Sequence, residues 1–168
     1  MANSIETVLA EIASWYDELP GGTERPKLLS KLATLELCGW LEETFDRLAH
    51  EIAHAGGVDS AATVLSAINF THGFSYGDHV RSLFLAIGGE TLLSVVEAAL
   101  ESKYPGELER LKSELGTLWK LRCELAHGST VGTPGQQVLI YAPSWSQNRQ
   151  RILAKLIKKF DVELRAAI

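Results

Sequence analysis

Glu107 to Gly128 reads ELERLKSELGTLWKLRCELAHG, and its leucines settle the fold class. Leu108, Leu111, Leu115 and Leu118 step by threes and fours, the spacing that lays one apolar stripe along an α-helix. The next two members of that series are Arg122 and Leu125, so an arginine stands at a position the pattern reserves for burial. Pro105-Gly106 breaks the chain before this stretch and Gly128 closes it, which predicts a helix from Glu107 to His127.

The same period recurs on both sides. Ile5, Val8, Leu9, Ile12 and Trp15-Tyr16 mark a short first helix that stops at Leu19-Pro20-Gly21-Gly22. Thr23 and Pro26 open a long second helix whose apolar pattern runs from Leu28 to Ile52 and ends at Gly56-Gly57. Asp59 or Ser60 caps a third helix through Ile68, after which Asn69 to Gly77 mixes aromatics with glycine and reads as an ordered loop. A shorter helix is expected over His79 to Ile87, a break at Gly88-Gly89, and another helix over Thr91 to Lys103. Ser129 to Pro143 turns to Thr, Gly, Pro and Gln, with Val138 to Tyr141 as a short extended segment. Ser144 and Gln147 form a capping-box pair before a last helix striped by Ile152, Leu153, Leu156, Ile157, Phe160 and Leu164. Long helices with short breaks predict one all-α domain over residues 1–168, a helical bundle with a short loop or β-like insertion before the last helix.

Composition sets outer bounds. The 168 residues are 46% apolar, enough for a core, and the 22% of charged residues intersperse both signs, which argues against disorder. A net charge of −5 argues against a protein that coats nucleic acid through long-range attraction, while leaving room for a local basic cleft. Basic residues gather late, at Arg149, Arg151, Lys155, Lys158 and Lys159, where a solvated helix face is a commoner outcome than a phosphate track. Cys38 and Cys123 sit inside apolar helical patterns and read as free thiols packed as small hydrophobes. With no basic leader and no apolar run of about 18 residues, a soluble cytoplasmic protein without membrane association is expected.

Two constellations carry chemistry. His50-Glu51-Ile52-Ala53-His54 matches the pattern in which two histidines one turn apart hold zinc and the glutamate activates water, and Asp46 one turn earlier adds a third ligand on that face. Against it, the extended pattern wants histidine where Ser60 stands, and the buried stripe Leu41, Phe45, Leu48 and Ile52 leaves His50 and His54 about 200° away, towards water. Solvated histidines are therefore favoured over a metal site or a metal-dependent hydrolase. The second constellation is Arg122 with His127. A buried guanidinium needs a carboxylate, a phosphate or a wet cleft between subunits. His127 ends its helix, where the dipole favours a protonated imidazole, but an ideal helix sets the two side chains about 140° apart, so they converge only if the arm bends or the last turn unwinds at Gly128. A surface-reaching arginine and a capping histidine are the plainer alternative.

With Arg122-Cys123-Glu124-Leu125-Ala126-His127-Gly128 in view, the chain resembles the HEPN superfamily, whose mark is arginine, four to six residues, then histidine beside a loop. Leu37-Cys38-Gly39-Trp40-Leu41-Glu42-Glu43, and His72-Gly73-Phe74-Ser75-Tyr76 followed by His79 and Arg81, resemble the RiboL-PSP branch of that superfamily, so the likeness covers residues 26–168. The resemblance implies a homodimer in which two Arg/His pairs face a shared cleft, and a metal-independent endoribonuclease with no cofactor, of the kind found in defence, toxin–antitoxin and RNA-processing systems, some with a cognate antitoxin or other protein partner. It implies attack of a ribose 2′-hydroxyl on the adjacent phosphate, with His127 moving protons and Arg122 holding the phosphate. Glu42 and Glu43 are the carboxylates placed to orient this pair, or else surface acids with Glu43 joined to Arg47 at i,i+4. Phe70 to Tyr76 offers aromatic faces for unpaired bases, or packs in the core. Cys123 departs from the polar residue usual after the arginine. That departure and the acidic charge suit an alternative, a non-catalytic interaction module such as an antitoxin, immunity or scaffold subunit.

Overall fold

Ser4 starts the first helix as a side chain with extended backbone (φ −69°, ψ 154°) whose Oγ accepts from the Thr7 N–H. Helix α1 then runs Ile5–Asp17 and buries Leu9 and Ile12. Its companions are α2 (Arg25–Ala55), α3 (Ala61–Phe70), a π-helical turn (Tyr76–Val80), α4 (Arg81–Lys103), α5 (Glu107–His127) and α6 (Pro143–Ala166). The computed structural model describes residues 4–19, 24–56, 61–127 and 140–168, with the backbone alone at Ala61 and His127. Among the described residues the fold is all-α, without a strand. The expected caps and stops at Pro20 to Thr23, Gly57, Asp59, Ser60 and Gly128 lie outside them, as do Val138 and Leu139 of the expected extended segment; Ile140 and Tyr141 are described and are not strand.

Three boundaries differ from expectation. Helix α3 continues to Phe70, and the aromatic loop beyond it winds into the π turn from Tyr76. The turn is held by Ser75, whose carbonyl accepts from both His79 and Val80 N–H groups at 3.1 and 3.0 Å. Helix α6 begins at Pro143, so Ser144 is already inside the helix and no capping box forms; Gln147 instead donates through Nε2 to the Leu9 carbonyl at 3.3 Å. Proline suits that first position, where the missing N–H has no helical partner to lose. The break expected at Gly88-Gly89 is present as a kink within α4, where Gly89 has φ 72° and ψ 177°.

The chain divides into two compact units, one built from Met1–Trp40 and Leu118–Ile152, the other from Leu41–Thr117 and Leu153–Ile168. In the first, Leu9, Ile12 and Ala33 form a buried cluster flanked by Ile5, Val8 and Leu29. Polar groups close around it: Thr34 and Ser146 hydroxyls meet at 3.4 Å, and Gln150 donates to Glu6 at 2.7 Å. In the second, Phe160 presents edge-on contacts to Phe84 and Tyr76, at ring separations of 5.5 and 6.2 Å. Phe45, Phe74, Leu93 and Val96 are also fully buried there. Glu163, buried at 2% exposure, accepts from Lys103 at 2.7 Å, so the carboxylate is not left without a counter-charge. The run Tyr76–Lys103 is, by length and composition, apolar enough to cross a membrane, contrary to the expectation that no such run exists; it also carries the buried residues Tyr76, Val80, Leu83, Phe84, Leu93, Val96 and Leu100.

Candidate functional site

The stripe on α5 is buried as its spacing requires at Leu108, Leu111, Leu115 and Leu118. Beyond Leu118 it continues through Leu121 and Leu125, both buried, and Arg122 lies at its edge, half-buried. From Leu118, steps of three and of four are both on the helix face, and the leucine takes the interior because its burial requires no counter-charge. The Arg122 guanidinium lies over the Trp119 ring, 5.2 Å from its centroid, one turn back on the same helix. This stacking keeps the charge at the boundary of the apolar stripe while its stem covers apolar surface. Cys123 is half-buried and its thiol is free. His127 is the last residue of α5, which sets its backbone at the negative end of the helix dipole; its imidazole and Gly128 lie outside the described residues.

The two candidate orienting acids belong to the other unit. Glu42 is half-buried and Glu43 exposed on α2. The i,i+4 partner expected for Arg47 was Glu43, but Arg47 instead turns forward and donates to Glu51 at 2.8 Å. Arg165 also donates to Glu51, and these two bonds hold its carboxyl below the ordinary glutamate value. The glutamate of the His50–His54 pattern is therefore committed to two guanidiniums. His50 and His54 are both exposed, as their distance from the buried stripe implied, and Leu41, Phe45, Leu48 and Ile52 are buried. Burial pushes the Asp46 carboxyl up, against the opposing influence of His50 and His72. Among the described residues no three His, Cys, Asp or Glu side chains assemble a group able to hold a metal ion, Asp46, His50 and His54 included.

The late basic residues divide. Arg151, Lys155 and Lys158 form an exposed face of α6, whereas Arg149 packs over Trp145 and Lys159 pairs with Glu107 and lies over Tyr104 at 4.6 Å. Phe74 and Tyr76 are core residues, so of the aromatic segment only Phe70, at 89% exposure, offers an open ring. Sequence reasoning did not anticipate a polar network around the π turn. Tyr76 donates its hydroxyl to Glu97 at 2.9 Å, Arg81 meets Glu90 at 2.6 Å and Glu97 at 3.6 Å, and Ser75 Oγ lies 2.7 Å from His79 Nδ1. The four-residue spacing of Ser75 and His79 was the available signal. No protein-family model, curated protein or solved structure matches the chain.

Proposed function

We propose that this chain is a HEPN-like cytoplasmic protein that acts as a homodimer and cuts RNA without metal, using Arg122 and His127 from each copy at a shared cleft. The observation that supports the reading is Arg122 itself: a half-buried cation at the margin of a leucine stripe, braced on Trp119, on the helix that His127 terminates. A guanidinium so braced presents fixed donors to phosphate oxygens and stabilises charge that develops on them in the transition state. The histidine at the helix end takes the proton from the 2′-hydroxyl or gives one to the leaving 5′-oxygen. Products are a cyclic phosphate and a free 5′-hydroxyl. A role in defence, a toxin–antitoxin pair or RNA processing suits such an activity.

Cleavage of single-stranded RNA in EDTA, by the parent and by Arg122→Ala and His127→Ala, tests it. Each variant is expected to lose at least about a hundredfold in rate, the scale of removing a proton-transfer or charge-stabilising group. Equal cleavage by all three removes the catalytic role. A second reading, an interaction subunit without catalysis, draws on Cys123 beside Arg122 and on the net charge of −5. Tight, salt-sensitive RNA binding by the parent counts against that one.

A further inference from the structure

Helix α2 carries apolar residues on the wrong side for a helix at a protein surface. Ser30, Ala33, Thr34 and Leu37 are buried, and α1 covers the flank at Leu29 and Ala33. At 100° per residue, Leu28, Leu32, Leu35 and Gly39 fall within about 60° of one another, and that stripe points about 180° from the buried set. Leu28 is 53% exposed and Leu32 37%, with Leu35 and Gly39 half-buried beside them. Apart from its chain neighbours and the adjoining backbone of its own helix, no heavy atom lies within 4 Å of where a Cβ would stand on Gly39. An outward helix face is ordinarily polar; one bearing three leucines and an open glycine is built to be covered.

We infer that this face binds a second copy of the same chain, helix against helix and antiparallel. Charge selects that occupant. Arg25, Lys27 and Lys31 lie in the first turns of α2, while Glu36, Glu42 and Glu43 lie further along. An antiparallel copy sets basic against acidic residues at both ends and opposes the two helix dipoles, whereas a parallel copy sets like against like. One twofold axis crossing α2 between Ala33 and Thr34 satisfies the steric pattern as well. It seats Leu28 over Gly39 of the second copy and Leu32 beside Leu35 of the second copy, and each contact recurs by symmetry. Arg25 and Glu43, about five turns apart, occupy one flank of the helix, and the same axis brings them together across the pair. Glu24 falls opposite Glu42, but its carboxylate already accepts from Lys27 at 3.0 Å. The inference stands apart from the ribonuclease reading, which needs a homodimer without saying which surface forms it.

Sedimentation velocity of the full chain over about 1 to 100 µM tests the pairing, a span suited to a micromolar dissociation constant. The parent should be a dimer, and Leu28→Glu or Leu32→Glu should weaken it by about a hundredfold, since each substitution acts twice at a central position. Arg25→Glu should weaken it less, and Arg25→Glu combined with Glu43→Arg should restore it. A monomeric parent, a dimer indifferent to both leucine substitutions, or a double charge reversal no tighter than the single one would each overturn the inference. If a leucine variant loses helicity by circular dichroism, the exposed charge pair carries the test alone. Arg122→Ala should leave the association intact, so failure of this interface and failure of the RNA chemistry are read in separate measurements.

Discussion

Tyr76 brings a hydroxyl into an aromatic core and must find it a partner, which it does in Glu97. Burial first, and then the adjacent Glu97 carboxylate, push its phenol well above the ordinary value. A folded-state value raised in this way stabilises the protein fully below the unfolded phenol pKa of about 10, and the contribution is lost as pH climbs beyond it. Stability to urea should therefore fall above about pH 10, and Tyr76→Phe should flatten that decline. At neutral pH the same substitution should cost about 1 kcal/mol through the lost bond, read from the urea midpoint. Neither the partner nor the shift was legible from sequence, because Glu97 lies on another helix and only packing brings the two groups within 2.9 Å. Arg122 shows the complementary case. Spacing alone set it inside the apolar stripe at a buried position, whereas the structure buries Leu121 there and leaves Arg122 half-buried at the edge, a choice that depended on what faces the helix.

At the scale of elements, glycine placed the punctuation of α4 correctly and the helix itself was drawn in two pieces around it. Gly89 adopts φ 72° with ψ 177°, a region almost closed to residues with a Cβ. Gly89→Ala should cost about 2 kcal/mol by thermal or urea unfolding, more than the usual exposed-helix exchange, which would favour alanine. Arg81 spans this kink, pairing with Glu90 and Glu97 beyond it, and so ties the short leading segment to the long trailing one. The π turn before it escaped a reading by period. Five residues with one extra per turn leave no periodic trace, and the turn persists through the double acceptance at the Ser75 carbonyl and the Ser75–His79 side-chain bond.

For the molecule, the aromatic cluster around Phe160 is where the second unit concentrates its burial. Phe160 is fully buried and meets both Phe84 and Tyr76 edge-on, so Phe160→Ala should cost about 3–5 kcal/mol, measured by urea unfolding. A loss of under about 1 kcal/mol would mean that the cluster repacks around the gap. The all-α class was determined by the sequence alone, since apolar spacing and the placement of proline and glycine are local properties that the helix period reads directly. So was the orientation of α2, whose Leu41, Phe45, Leu48 and Ile52 go inward and whose His50 and His54 go outward. Only the tertiary structure decided that Glu51 serves two arginines, that Tyr76 and Phe74 belong to the core, and that the leucines at 28 and 32 stand uncovered. Those outcomes depend on which surfaces meet across long stretches of chain, and a one-dimensional pattern carries the period of each surface but not the identity of its neighbour.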